Sequence, residues 1–181
     1  GYDENEEELD LPLGFYDDGA YVSRYRIPSY LFIENYLITR AQIPSAVKEI
    51  GEYAFEGCAS LLSVSFAEDS PLKKIGQYTF SNCLNLCVVE LPAALESIES
   101  HAFYNCSSLE GIALSKKLSY IGADAFLSCL NLVEVYNYSA LAVKAGSRDY
   151  GLVAYYALAV YDSADGGRIR EVTVNGLTFK T

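Results

Sequence analysis

A 23-residue repeat runs through the middle of the chain and restricts its possible folds more than any other feature. Four residue types recur in one order, at separations of 25, 23 and 23 residues. The repeated positions are Ile50, Ile75, Ile98 and Ile121; Phe55, Phe80, Phe103 and Phe126; Cys58, Cys83, Cys106 and Cys129; and Leu61, Leu86, Leu109 and Leu132. A unit this short cannot bury its own apolar side, whereas stacked copies bury a continuous core. The sequence therefore predicts a repeat solenoid.

Each unit changes its hydrophobic period partway along. The unit reads I-G-x-x-A-F-x-x-C-x-x-L-x-x-V-x-L. Its second half alternates, which is typical of a strand with one buried face, and stacked strands of this kind form a parallel ladder. Its first half spaces apolar residues three to five apart, which favours a short helical or 3-10 turn. We therefore expect an α/β repeat solenoid with a parallel β-sheet on one face and short helical turns on the other.

The repeat also divides the chain into segments. Residues 47–140 hold four units, at 47–71, 72–94, 95–117 and 118–140, and residues 23–46 form a degenerate capping repeat in which Asn35 replaces the cysteine. Residues 141–162 form a closing segment, in which the apolar run at 152–158 favours a helix. Residues 163–181 carry Asn175-Gly176 between two alternating runs, a strong hairpin signal. This hairpin either caps the solenoid or begins a further domain.

The unit resembles those of a known family. A Leu-x-x-Val/Ile-x-Leu strand core in a 23-residue period resembles a leucine-rich repeat, and the full unit resembles the BspA-like leucine-rich repeats, cleanly over about residues 47–140 and loosely over 23–162. Ala94 and Lys117 stand where other leucine-rich repeats carry an asparagine ladder, a departure that BspA-like units commonly show. The resemblance implies a right-handed superhelix, with its sheet on the concave face and its turns on the convex face. It also implies a bacterial protein, secreted or surface-displayed, that adheres to host proteins or to other cells.

The negative charge is concentrated at the N-terminus. The net charge is −11, and residues 1–23 hold eight acidic residues and no Lys or Arg, which leaves −3 for the rest. We expect residues 1–22 to form a solvated acidic arm whose second half docks on the body. So acidic a chain is a poor ligand for nucleic acid or an anionic membrane, and no apolar run is long enough to span a bilayer. The chain begins at Gly1, so we expect a trimmed chain or a removed signal peptide, and an extracellular or cell-surface location.

The cysteines, the acidic arm and the single histidine do not have the arrangement of a catalytic or metal site. The four repeated cysteines occupy one position on successive coils, which predicts buried, reduced thiols, and Cys87 lies outside this series. Neither the cysteines nor the acidic arm has the ligand spacing of a zinc or calcium site. His101 occupies a variable repeat position that is Tyr53, Tyr78 or Asp124 in the other units, which indicates a surface position. We therefore predict no enzyme activity, no cofactor and no metal.

Binding is the function that remains, and the outward-facing strand residues are the candidates. We expect a monomer that binds a protein ligand through its concave face. The alternatives are a carbohydrate-binding accessory module, for which Tyr136 and Tyr138 are the aromatic candidates, and a structural spacer in a larger extracellular protein. By alternation the concave residues are Arg40, Gln42, Ser63, Ser65, Val88, Glu90, Gly111, Ala113, Ser115, Glu134, Tyr136 and Tyr138.

Overall fold

Short parallel strands recur once or twice in every coil of the chain. The computed structural model describes residues 26–162, together with the backbone of strands at 8–10, 15–17, 20–22, 171–174 and 177–180. The strands are β1 (Glu8–Asp10), β2 (Phe15–Asp17), β3 (Ala20–Val22), β4 (Arg26–Ile27), β5 (Arg40–Ile43), β6 (Glu49–Ile50), β7 (Ser63–Phe66), β8 (Lys74–Ile75), β9 (Val88–Val89), β10 (Ser97–Ile98), β11 (Gly111–Leu114), β12 (Tyr120–Ile121), β13 (Glu134–Asn137), β14 (Ala159–Asp162), β15 (Glu171–Val174) and β16 (Leu177–Lys180).

Seven strands of two to four residues each form the main sheet of a parallel β-solenoid. Strands β1, β5, β7 and β9 pair in that order, β11, β13 and β14 pair in that order, and β9 lies beside β11. The strands β4, β6, β8, β10 and β12, of two residues each, form a second row, in which β10 pairs with both β8 and β12, and β4 pairs with β6. From β5 to β14, six coils each contribute one strand to the main sheet. The predicted repeat solenoid with a parallel sheet is confirmed.

The core between the two rows is a stack of identical side chains. The rings of Phe32, Phe55, Phe80, Phe103 and Phe126 stack with centroids 5.0, 5.3, 5.4 and 5.2 Å apart. The last four rings are fully buried, as are the small residues that precede them. Parallel strands repeat at about 4.8 Å, so each coil places its ring over the ring of the previous coil. Periodicity in the sequence thus becomes a continuous apolar column.

The side of the solenoid opposite the main sheet, here called the turn side, is not helical. Within residues 26–162 the only helix is a single 3-10 turn, Tyr150–Leu152, so the prediction of helical turns was wrong. Tyr53 and Gly57 adopt left-handed backbone, with φ of 60° and 71°, which ends any helical progression. The N–H groups of Tyr53, Phe55 and Gly57 donate to carbonyls of the next coil at 2.8–3.1 Å. In a helix these N–H groups would bond within their own coil. In this structure they bond to the neighbouring coil instead.

The C-terminal closing segment extends the sheet. We predicted a helix over 152–158, but Leu158 is 84% exposed and β14 begins at the next residue. The N–H groups of Leu158 and Ala159 both donate to the carbonyl of Val133, which fixes this segment on the edge of β13. The prediction failed because pairing at an open sheet edge satisfies backbone groups that an isolated helical turn leaves unpaired.

The terminal strands also pair. β1, within the acidic arm, pairs in parallel with β5 and places Glu8 opposite Arg40. β2 and β3 form an antiparallel pair, as do β15 and β16, in which Val174 lies opposite Leu177. The Asn175-Gly176 turn that the sequence predicts between β15 and β16 lies outside the described residues, as does most of the arm.

Candidate binding surface

The register of the main sheet brings most of the predicted binding residues together. On one side of the sheet, Arg40 lies opposite Ser63 and Ser63 opposite Val88, while Gln42 lies opposite Ser65. Farther along, Gly111 lies opposite Glu134. We call this side of the main sheet, which faces away from the phenylalanine column, the outer face. Its members among the predicted residues are Arg40, Gln42, Ser63, Ser65, Val88, Glu90, Gly111, Ala113, Glu134 and Tyr136.

Burial alternates along the strands as the sequence pattern predicts. In β5, Arg40 and Gln42 are exposed while Ala41 and Ile43 are buried. In β11, Ile112 is buried between the half-buried Gly111 and Ala113. Val88 departs from the alternation, since it is only 6% exposed. The outer face is therefore exposed at Arg40 and Gln42 and half-buried through its middle, whereas Val88 and Tyr136 contribute little surface.

Two predicted residues lie beyond the ends of their strands. Ser115 follows β11, and its hydroxyl donates to the carbonyl of Leu95 at 3.2 Å. Tyr138 follows β13, is half-buried, and donates its N–H to the carbonyl of Leu114 at 3.1 Å. The hydrogen bond of Ser115 joins adjacent coils, which gives this side chain a structural role.

A stacked tyrosine pair marks the C-terminal end of the outer face. Tyr136 and Tyr161 lie opposite each other in register, with ring centroids 4.9 Å apart and planes 15° apart. Tyr136 is only 4% exposed, so it is not the exposed aromatic anchor that we expected, whereas Tyr161 is 37% exposed. We missed Tyr161 because we expected a helix to close the array. The alternation of Ala159, Val160 and Tyr161, 25 residues after Glu134, Val135 and Tyr136, was the available signal.

The charges of the outer face are unevenly distributed. Arg40 lies at its N-terminal end, opposite the position of Glu8 in the arm. Glu90 is exposed near the centre. Glu134 is half-buried, and its carboxylate accepts a hydrogen bond from the Tyr136 hydroxyl at 2.8 Å. This bond orients a negative charge beside the aromatic pair.

The repeated cysteines form a buried ladder of free thiols, as predicted. Each Sγ donates to the carbonyl of the phenylalanine in the previous coil, at 3.0–3.2 Å. Burial raises the pKa of the Cys58 thiol to about 12 and also raises the pKa values of Cys83 and Cys106. Cys87 is buried outside the ladder, with Sγ 3.1 Å from the carbonyl of Asn85. Neutral, hydrogen-bonded thiols of the ladder are poor nucleophiles and poor metal ligands.

His101 belongs to a second ring stack, on the turn side. Tyr30, Tyr53, Tyr78 and His101 stack with centroids 4.7–4.9 Å apart and planes within 9°. The Nε2 atom of His101 lies 3.8 Å from Oδ2 of Asp124. The predicted surface position is thus correct, since the side chain is 28% exposed, but the stacking was not predicted. His101 and Cys106 lie in different environments, one in the surface stack and the other in the buried ladder.

Two further observations concern metals and membranes. Among the described residues, no group of three or more His, Cys, Asp or Glu side chains is placed to hold a metal ion. The same part of the chain has no helix of the length and apolarity that crossing a bilayer requires.

Stacked 23-residue coils, a parallel main sheet and a phenylalanine column define a leucine-rich-repeat solenoid. The family model for the BspA-type leucine-rich repeat region matches residues 25–143, in six copies. The chain belongs to this family, as its repeat motif indicated. A comparison with functionally curated proteins gives no match.

Solved structures of similar fold come from several bacteria. A leucine-rich repeat protein from Bacteroides ovatus is 33% identical, with a TM-score of 0.60, over 69% of this chain and 32% of its own. The leucine-rich repeat protein of T. pallidum is 26% identical, with a TM-score of 0.64, over 80% of this chain and 65% of its own. The pneumococcal vaccine antigen PcpA, at 23% identity and a TM-score of 0.57, shares the fold over 68% of this chain and 30% of its own. This chain thus spans about a third to two thirds of the length of these proteins.

Proposed function

We propose that this chain is a non-enzymatic protein-binding module, secreted or displayed on a bacterial surface, whose outer face adheres to host or neighbouring-cell proteins. The observation that carries the proposal is the outer face, on which Arg40, Gln42 and Glu90 are exposed. Its central residues Ser63, Ser65, Gly111 and Ala113 are small and half-buried, which leaves the sheet open to a partner. Solenoid proteins use extended surfaces of this kind for recognition.

The non-enzymatic part of the proposal is supported by the state of the most reactive side chains. The ladder thiols are buried and hydrogen-bonded to backbone carbonyls, and the single histidine stacks on a tyrosine. Catalytic nucleophiles need a base within hydrogen-bond reach, and no pair of this kind is found among these residues. The secreted or surface location is supported by family membership, since BspA-like proteins are typically secreted or surface-displayed.

A carbohydrate-binding role is the second candidate, and the stacked pair of Tyr136 and Tyr161 favours it. An exposed aromatic ring offers an apolar face and a polar edge, which suits a sugar ring. Tyr161 supplies one such ring, at 37% exposure, whereas Tyr136 is covered. The small, weakly apolar centre of the outer face instead favours a protein partner, with which the sheet can make an extended contact.

The proposal is tested with the purified chain on two panels, immobilised extracellular-matrix proteins and an array of glycans. Ser65→Arg places a bulky side chain in the middle of the outer face. Gln77→Arg makes the same change of charge at an exposed position on the turn side and is the matched control. We expect binding to at least one protein, weakened more than tenfold by Ser65→Arg and less than twofold by Gln77→Arg.

Three outcomes contradict the proposal. Equal effects of the two variants exclude the outer face as the binding surface. Binding to glycans alone, lost in Tyr161→Ala, supports the carbohydrate-binding module. Binding to neither panel leaves the chain as a structural spacer.

A further inference from the structure

We propose that the hairpin of β15 and β16 packs with its apolar side on the outer face over β9, β11 and β13, so that a protein partner must displace it. This inference rests on the proposed function, because it makes the chain's own C-terminal segment a competitor for the binding surface. It depends on two outer-face side chains that their neighbours in the sheet cannot cover, on the apolar side of the hairpin, and on the charge of the C-terminal segment.

Val88 is buried although it lies on the side of the sheet that faces away from the core. Only 6% of this residue is exposed. Its neighbours in the sheet are Ser63, opposite in register, and Gly111, at the corresponding position of the adjacent strand. A serine and a glycine are too small to cover a branched side chain that stands between them on the sheet surface. The burial of Val88 therefore requires a group that lies over the sheet.

Tyr136 shows the same excess burial two coils farther along. Tyr161 stacks on one face of its ring at 4.9 Å, and only the small Ala113 lies opposite in register on the other side. One neighbouring ring covers one face, yet Tyr136 is just 4% exposed. Arg40 and Gln42, on β5, are exposed. The covered region of the outer face therefore extends from β9 to β13 and does not include β5.

The hairpin has an apolar side that needs a surface to pack on. The register places four apolar residues on one side of it: Val172, Val174, Leu177 and Phe179. Thr173 and Thr178 lie opposite each other on the other side. A lone two-stranded hairpin is marginally stable in water, and packing of its apolar side on another element stabilises it. The side chains of Val88 and Tyr136 offer an apolar surface for this packing.

The C-terminal segment can reach the covered region and complements its charge. β14 lies three strand spacings from β9, about 14 Å, whereas the eight residues 163–170 between β14 and β15 can span up to about 29 Å. Residues 163–181 hold three basic and two acidic residues, a net charge of +1, and the outer face carries Glu90 and Glu134. The acidic arm would bring like charge to these carboxylates. The C-terminal segment therefore fits this region better than the arm does.

Photo-cross-linking in the full chain tests the contact directly. Benzoylphenylalanine replaces Glu90, which is exposed beside the covered region, or Glu96, which is exposed outside the main sheet. Peptide mapping by mass spectrometry then identifies the cross-linked segment. We expect position 90 to cross-link to residues 171–180 of the same chain and position 96 not to. Cross-links from position 90 to residues 1–7 would make the arm the occupant and would overturn the inference, as would equal products from both positions.

A second measurement follows the accessibility of position 88. Val88→Cys in a Cys87→Ala background places one reporter thiol there, since the four ladder thiols are buried. Val174→Asp introduces a charge on the apolar side of the hairpin, and Thr173→Asp introduces it on the other side as the matched control. We expect Val174→Asp to speed alkylation at position 88 tenfold or more, and Thr173→Asp to change it less than twofold. Equal rates in the two variants, with the ladder thiols still protected, would overturn the inference.

Binding measurements separate this inference from the proposed function. Release of the hairpin should raise the affinity for a matrix protein about tenfold in Val174→Asp and less than twofold in Thr173→Asp. If Ser65→Arg weakens protein binding while Val174→Asp changes neither alkylation nor affinity, only the inference is overturned. If Val174→Asp speeds alkylation at position 88 but Ser65→Arg leaves protein binding unchanged, the hairpin contact is supported and the proposed function fails.

Discussion

At the scale of single residues, the turn side combines strained backbone with stacked rings. Tyr30, Tyr53 and Tyr78 have φ between 55° and 64°, a region that disfavours residues with a bulky side chain. Each such residue costs on the order of 1 kcal/mol or more. Their rings stack within 4.9 Å, and an aromatic pair contributes about 0.5–1.5 kcal/mol beyond burial. Stacking between coils thus offsets strain within each coil.

The buried thiols predict a loss of stability at alkaline pH. Burial raises the pKa of Cys83 above its usual value of 9.0, so the folded chain keeps this proton while the unfolded chain loses it. The contribution of this thiol to the free energy of unfolding is therefore fully present below pH 9. Above pH 9 the free energy of unfolding falls by about 1.4 kcal/mol per pH unit for each such thiol. Urea unfolding of the wild type and of Cys83→Ala between pH 8 and 10.5 measures the difference. Above pH 9, the free energy of unfolding of the variant should fall less steeply with pH, by about 1.4 kcal/mol per pH unit. Equal pH dependence of the two proteins would contradict a buried, neutral Cys83 thiol.

Glu56 predicts an effect at the acidic end of the pH scale. Its pKa is raised above 4.5, first by burial and then by the nearby Glu34, so its charged form weakens the folded state above that pH. Glu56→Gln should stabilise the protein by a few tenths of a kcal/mol at pH 7 and by nothing at pH 3.5. Glu52→Gln, at an exposed position, is the control. A destabilised Glu56→Gln at pH 7 would show that the carboxylate makes a favourable contact.

At the scale of elements, the strands could be predicted from the sequence and the turns could not. Alternation in segments such as residues 111–114 reports which side chains face the core, and the structure follows it. The turns depend on left-handed residues. Asn82 and Gly57 are residue types that tolerate this conformation, but Tyr53 and Tyr78 are not, and their stacking partners lie a whole coil away.

The same reasoning explains how much of the candidate surface could be predicted. Alternation placed Arg40 and Gln42 correctly on the outer face, because exposure there depends only on strand direction. It could not show that Tyr136 is covered by Tyr161, since this contact depends on β14 joining the sheet. Tertiary pairing at the edge of the sheet was the missing information.

Two glycines provide a test of how closely neighbouring coils approach. A Cβ at Gly122 would overlap the backbone of Glu99 and Ser100 in the previous coil, whereas at Gly111 it would make ordinary contacts. Gly122→Ala should therefore cost about 3 kcal/mol or more of the free energy of unfolding, since backbone must shift. Gly111→Ala should change it by less than about 1 kcal/mol. Thermal and urea unfolding measure both, and similar costs would show that the coils are less closely packed than described.

At the scale of the whole molecule, stability comes from contacts between neighbouring coils. Phe80 stacks on Phe55 and Phe103, whereas Phe126, at the end of the column, stacks on Phe103 alone. In a solenoid each coil depends on its neighbours, so damage to a central coil affects two interfaces.

The phenylalanine column therefore predicts a gradient of mutational cost. Phe80→Ala should destabilise the protein by about 3–5 kcal/mol, and Phe126→Ala by about 1 kcal/mol less, because it loses one ring partner. Both side chains are fully buried, so burial alone does not separate them. Denaturant unfolding gives both values. A larger cost at Phe126 would mean that the terminal coil, and not the column, limits stability.

The central claim is that the outer face of the main sheet is the surface that meets a protein partner. The most direct measurement is photo-cross-linking from a benzoylphenylalanine placed at Ser65 on the outer face or at Gln77 on the turn side, with a matrix protein that the chain binds. We predict a cross-linked product from position 65 and none from position 77. Cross-linking from position 77 alone would place the partner on the turn side and would contradict the claim.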